Sequence, residues 1–171
     1  MVPVVAPRFH LDECNTEAER AFIEAMHRRS EAGGWYPNAW VWGDRVVLAV
    51  CSSDHTPGYN LLLRTLRVDY DGREVRFGPD ETHQFATDLN PVRSGVSVLS
   101  GLPVTELAAA AADWLEREMR RPIVRHEWDR LDKRGVAPRL WVLGDTGEGL
   151  VARGQRSPDF GPPDRVVPVP G

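Results

Sequence analysis

Lysine is almost missing from this chain: Lys133 stands alone against twenty arginines in 171 residues. With the heavy use of alanine, glycine, proline and valine, that bias points to a GC-rich bacterial genome, and it bears on origin rather than mechanism. Cysteine is scarce as well. Cys14 and Cys51 are the only two, too few for a disulfide-stapled secreted scaffold. No apolar run approaches the ~20 residues of a membrane helix. The opening residues 1–7 are apolar but short, broken by proline and preceded by no basic residue, so they do not read as a signal peptide. By elimination the sequence reads as cytoplasmic, with no membrane partner. A basic excess is lacking too: the net charge is −4 and the pI about 5.7, which argues against a dedicated nucleic-acid binder.

What is present suits a folded domain. A chain of this length buries roughly 70% of the surface exposed by its unfolded form, so no metal or disulfide staple is required. Residues 1–154 read as a single α+β domain, and 155–171 as a proline-rich C-terminal extension, loose or extended. A first helix is predicted over 16–32. Thr16 and Glu19 form a capping box, Ala18, Phe22 and Met26 make a stripe flanked by Ala21 and Ala25, and Gly33-Gly34 ends it. A second helix over 104–120 carries Leu107, Ala111, Trp114, Leu115 and Met119 on one side, and Pro122 stops it.

Between the helices lie hairpins. Trp40-Val-Trp42, Gly43-Asp44 and Arg45 to Val50 fit a two-residue turn that sets Trp42 opposite Arg45. Both faces of this ribbon are largely apolar, so it must be covered on both sides or expose an aromatic face. A second hairpin turns at Asp71-Gly72 and sets Asp69 opposite Glu74 and Arg67 opposite Arg76. Its face of Thr65, Arg67, Asp69, Glu74 and Arg76 is expected to be solvated. His83 to Leu89 reads as a further strand, and 90–101 as turn-rich. Ile123 to Trp128 and Leu140 to Leu143 follow, the latter paired with Leu150 to Ala152 around the loop Gly144 to Gly149. The expected fold is therefore two-layer α+β, a mainly antiparallel sheet of about five to seven strands with two main helices. This order of elements loosely resembles small bacterial secretion-chaperone folds, a likeness of fold that does not decide function.

Chemistry is thinly signed. His10 and Cys14, with Cys51 and His55, have mirrored spacings that would give zinc two thiolates and two imidazoles. No Cys-x2-Cys knuckle accompanies them, and Cys51 continues a strand, so a buried structural thiol is the plainer expectation and no cofactor is assigned. Cys51 with His55, the histidine oriented by Asp54 or Asp80, would give a thiol and a base, and these with His83 are the first groups to test in an enzyme. No Gly-x-Ser-x-Gly elbow exists. Gly144 to Gly149 lacks the Gly-Lys-Ser/Thr of a phosphate loop. Arginines from 117 to 139 cluster near Trp114, Trp128 and Trp141 and offer a nucleic-acid contact, but interleaved acids predict a solvated face of ion pairs.

Tryptophan is the oddity. Trp35, Tyr36, Trp40 and Trp42 crowd into eight residues, with Arg45 at the rim, and aromatics with arginine are what interaction hot spots use. The sequence therefore favours a non-enzymatic, chaperone-like or immunity-like accessory factor that binds a protein partner or itself, as a dimer. The alternatives are an enzyme or ligand carrier with a pocket between sheet and helices, and a nucleic-acid contact through 117–139.

Overall fold

The computed structural model describes residues 11–58, 60–80, 89–93, 95–150 and 161–170. Among them two α-helices and eight strands in two antiparallel sheets make an α+β fold. The sequence pattern predicts one sheet, and the structure divides the strands into sheets of five and three. The chain forms two compact units, Met1–Cys51 with Thr65–Glu118, and Ser52–Arg64 with Met119–Gly171.

The first unit opens with α1 (Glu17–Gly33), whose capping box forms as predicted. Thr16 Oγ1 accepts from the Glu19 N–H at 3.1 Å, while Glu19 Oε2 accepts from the backbone of Asn15 at 2.6 Å and Thr16 at 3.1 Å. These bonds close donors that a helix start leaves open. Phe22, Ile23 and Met26 are buried; the predicted Ala18, Ala21 and Ala25 are only half-buried. Gly34 ends the helix at φ 68°, a left-handed conformation natural to glycine. The Trp35 N–H then reaches back to the Ser30 carbonyl at 3.1 Å.

The larger sheet runs in the order β1 (Asn38–Trp42), β2 (Arg45–Asp54), β3 (Leu61–Tyr70), β4 (Glu74–Pro79), β5 (Ser97–Ser100). The boundary between the units falls within β2 and β3. The first hairpin has the predicted register, Trp42 opposite Arg45 and Trp40 opposite Val47. Val46 to Val50 are buried without a break, so this part of β2 is covered on both faces.

The second hairpin departs from expectation by two residues. Tyr70 pairs with Val75 and Asp69 with Arg76. The Asp71 carboxylate accepts from the N–H groups of both Arg73 and Glu74 at 2.9 Å, and these bonds hold a wider turn than Asp-Gly alone suggests. A two-residue slip keeps each side chain on its face, and it replaces the expected like-charge pair of Asp69 and Glu74 with an attractive one. The environment of that face also differs from expectation: Thr65, Arg67 and Asp69 are buried rather than solvated. The stretch 90–101, expected to be turns, contributes β5, which pairs with β4. Of the strand predicted at His83 to Leu89, all but Leu89 lies outside the described residues.

Helix α2 (Val104–Met119) buries Leu107, Ala111, Trp114 and Leu115 as predicted, together with Ala108, Ala112 and Glu116. Phe22 of α1 stacks on Tyr70 at 4.3 Å between ring centroids, and Trp114 of α2 meets Phe77 at 5.4 Å. Both helices therefore cover the sheet face formed by Leu66, Val68, Tyr70, Val75 and Phe77.

The second unit holds β6 (Ile123–Glu127), β7 (Arg139–Leu143) and β8 (Arg165–Pro168), in the order β7-β6-β8. Strand β8 lies within the stretch expected to be a loose extension. The bonds Asp164 N–H to Glu127 at 2.9 Å and Val169 N–H to Ile123 at 3.0 Å carry its pairing past both ends. Gly144 to Gly149 is a hairpin loop as expected, with Val142 bridged to Gly149 and the Leu150 N–H on Trp141 at 2.9 Å. The remaining predicted partners, Val151 and Ala152, lie outside the described residues. Among the described residues no helix is long and apolar enough to cross a membrane.

Candidate functional site

The tryptophan-rich segment splits into a core part and a surface part. Trp35 is 7% exposed, and its indole donates to Glu116 Oε1 at 3.2 Å. The same carboxylate takes Arg29 through both oxygens, Nε at 2.6 Å and Nη2 at 2.9 Å, and Asp113 adds a third contact to Arg29 at 2.6 Å. Trp35 is thus part of the joint between α1 and α2. Its neighbours face outward: Tyr36 is 74% exposed, Trp42 is 49% exposed and Trp40 is half-buried.

Alternation along a strand puts Trp40 and Trp42 on one face of β1, together with Arg45 and Val47 across the ladder. Arg45 lies 4.0 Å from Asp69, so this is the sheet face opposite the two helices. Cys51 and Thr65 share it, 3.7 Å apart. Beside Arg45 a small polar cleft is lined by Asp44, Arg45, Asp69, Asp71, Glu74 and Arg76. It sits where the tips of both hairpins come together. Arg76 donates to Glu74 at 2.7 Å.

Beneath the cleft Arg67, 1% exposed, is gripped by Asp69 through Nε at 2.6 Å and Nη2 at 2.7 Å, and by Asp80 at 3.3 Å. Asp69 also accepts from the Leu89 N–H at 3.2 Å. A buried arginine with two carboxylates is a satisfied structural group, and sequence reasoning misses it. The available signal is the Arg-x-Asp alternation in a strand with Asp80 further along, a pattern that solvated polarity produces equally well.

The second unit has its own buried network. Arg125 donates to Glu127 at 2.8 Å and to Asp54 at 2.6 Å. Asp54 also accepts from the Trp141 indole at 2.7 Å and from the Thr56 N–H at 2.9 Å. Burial by itself would raise the Asp54 carboxyl, but the bonds from Thr56, Trp141 and Arg125 outweigh it and hold it well below the ordinary carboxylate range. For Glu127 the Arg125 bond dominates over burial, and with Arg165 and Arg139 it again holds the carboxyl low. Both Asp54 oxygens are taken by Thr56, Arg125 and Trp141, which makes the carboxylate part of a structural network rather than an orienting group for His55.

The remaining sequence-predicted residues do not gather. Cys51 is exposed, correcting the expectation of a buried thiol; its place near the start of the less covered part of β2 explains the difference. Cys14 is half-buried, and burial, then the Glu19 carboxylate, push its thiol up. His55 is exposed. His10 and His83 lie outside the described residues. Among the described residues no group of three His, Cys, Asp or Glu side chains could hold a metal ion. The basic cluster is partly consumed: Arg125 is buried, Arg121 donates to Asp145 at 2.8 Å and Arg139 to the carbonyls of Trp128 and Pro138, while Arg130, Lys133 and Arg134 are exposed. Comparison with protein-family models, with curated proteins and with solved structures finds no match.

Proposed function

We propose that this chain is a non-enzymatic accessory factor, chaperone-like or immunity-like, that binds a protein partner or a second copy through the surface of Tyr36, Trp40 and Trp42. The observation that carries this reading is the placement of three aromatic side chains on or beside one outermost strand, with Tyr36 and Trp42 substantially exposed. Large aromatics so displayed are the side chains that dominate binding energy at interfaces. A cytoplasmic setting agrees with two unbridged thiols.

A photocrosslinking side chain placed at position 42, with the chain expressed in its own bacterium, tests the reading. One discrete crosslinked protein, lost when Tyr36 is also changed to alanine, is the expected result. Paired Tyr36→Ala and Trp42→Ala changes should weaken association with that protein by roughly thirtyfold, the range of a hot spot, with an unchanged far-ultraviolet dichroism spectrum. Diffuse crosslinking that Tyr36→Ala leaves unaltered refutes the reading.

A further inference from the structure

The larger sheet has a second edge, at the end away from β1. Strand β5 is outermost there, and it is open to solvent: Ser97, Val98 and Ser100 are exposed, Val98 at 40%. Among the described residues no strand and no loop backbone bonds to its outer side. From Val96 to Pro103 the chain carries no charged side chain.

The bonds along the neighbouring strands fix which groups of β5 aim outward. In an antiparallel ladder, bonded and non-bonded pairs alternate. The Asp71 N–H reaches the Glu74 carbonyl at 3.3 Å, and the Asp80 N–H reaches the Thr65 carbonyl at 2.9 Å. Both bonds set the same phase, in which Arg76 and Gly78 bond to β3. Val75 and Phe77 are left to bond to β5, through their partners Leu99 and Ser97. Val98 and Ser100 therefore direct N–H and C=O away from the sheet.

A second copy of β5 satisfies these groups in one register. Antiparallel pairing about a two-fold axis at Leu99 sets Val98 of each copy opposite Ser100 of the other, so both outward residues of each copy are used. An axis at Val98 would instead call on the Val96 N–H, which the Arg93 carbonyl holds at 3.3 Å. An axis at Ser100 would call on Leu102, which lies beyond the left-handed Gly101 at φ 74°. With the axis at Leu99, the two half-buried Leu99 side chains meet in a non-bonded pair, where side chains stand closest.

Charge favours a copy of the same chain. Like charges opposite each other in a ladder repel, and a two-fold axis sets the edge against its own image; this edge has no charge to repel. At its two ends stand exposed charges of opposite sign, Arg93 before β5 and Glu106 in the first turn of α2. The antiparallel image brings the Arg93 end of one copy to the Glu106 end of the other, and the symmetry does so twice.

We infer that two copies of this chain join through β5, their five-stranded sheets continuing edge to edge across a two-fold axis at Leu99. Such an isologous contact closes on itself, because it consumes the β5 edge of both copies. The inference goes beyond the reading above and leaves the surface of Tyr36 and Trp42, at each outer end of the joined sheet, to the protein partner.

Sedimentation equilibrium of the full chain over a range of concentrations tests it, with amide exchange followed by NMR. A monomer–dimer equilibrium is expected. The amides of Val98 and Ser100 should gain protection as concentration rises, while those of Ser97 and Leu99 are protected throughout. Val98→Pro deletes an outward N–H without touching the bonds to β4. The dimer loses that bond twice, so association should weaken roughly thirtyfold. Arg93→Glu and Glu106→Arg, both at exposed positions, should each weaken self-association about tenfold. An equimolar mixture of these two variants should pair as tightly as the parent chain.

A chain that stays monomeric at NMR concentrations overturns the inference. So does a dimer that Val98→Pro leaves intact, or one that Trp42→Ala weakens instead, which assigns self-association to β1. Should Val98→Pro unfold the chain, the charge variants decide: single variants that dimerise like the parent, or a mixture that does not recover, overturn the antiparallel pairing.

Discussion

Among the described residues, each of the two units buries one arginine on a strand and sets an acid two residues further along to receive it. Arg67 has Asp69 and Asp80; Arg125 has Glu127 and Asp54. The pairs differ in what lies behind them. In the first unit Asp69 also accepts from the Leu89 backbone, so the cluster ties a departing segment to the sheet. In the second, Glu127 is shared with Arg139 at 3.6 Å and with Arg165 at 3.2 Å, and both of those arginines reach solvent. Arg165 also holds Asp129 at 2.7 Å. The net charges diverge as well, −7 for the first unit and +3 for the second. One buried motif can thus serve as a sealed joint or as the inner end of a chain of charges running outward.

The largest effect should come from deleting either arginine. Arg67→Ala and Arg125→Ala each remove the guanidinium that lies between two buried carboxylates, and each should cost about 3–5 kcal/mol in urea denaturation. If the second network is relieved by solvent through Arg139 and Arg165, Arg125→Ala will fall at the lower end and Arg67→Ala at the upper. The reverse order would break the comparison.

Acid should act next, and on the second unit. Asp54 and Glu127 have folded pKa values held below the ordinary carboxylate value. Their contribution is therefore fully present above the unfolded value near ~4 and is lost as pH falls through the folded values. Trp141, bonded to Asp54, reports this directly: its fluorescence should hold steady down to about pH 4 and change below. A change centred near neutral pH would exclude these carboxylates as the cause.

Glycine substitutions sharpen the contrast on a smaller scale. A Cβ on Gly78, opposite Arg67 in the ladder, would lie 2.7 Å from Val96 Cγ2 and 3.0 Å from its Cα. Backbone cannot yield cheaply, so Gly78→Ala should cost about 1–3 kcal/mol. On Gly144 the added atom would stand 3.3 Å from the Pro122 ring, and Gly144→Ala should stay within about 1 kcal/mol. Equal costs would show that Val96 gives way freely beside Gly78. Smallest of all, Trp42→Ala should shift stability by no more than about 0.5 kcal/mol, as befits an exposed side chain; a larger loss in thermal unfolding would mean that Trp42 is packed rather than displayed.

The helices and the first hairpin are legible in the sequence because their signals are local. Thr16 with Glu19, the stripe through Phe22 and Met26, and Gly43-Asp44 each act within a few residues. The second hairpin is legible in its faces but not its register, since the Asp71 side chain, not the Asp-Gly pair, sets the turn. The buried charges are illegible for a different reason. Alternating charge in a strand looks the same whether it faces water or a counter-charge, and Asp80 and Asp54 reach their arginines from 13 and 71 residues away. Strands β5 and β8 are hidden by serine and proline, residues whose turn preference holds only until a neighbouring edge offers hydrogen bonds. At the candidate site, the crowding of Trp35, Tyr36, Trp40 and Trp42 is plain, but which of the four turns inward depends on the Trp35–Ser30 bond that closes α1.

The tryptophans also give the molecule a built-in optical gauge. Trp35, Trp114, Trp128 and Trp141 are sealed from water, whereas Trp40 and Trp42 are not. Emission should therefore separate into a blue component that acrylamide scarcely dims and a red one that it quenches. Whatever settles on β1 will shade the red component alone, so occupancy can be read without a label.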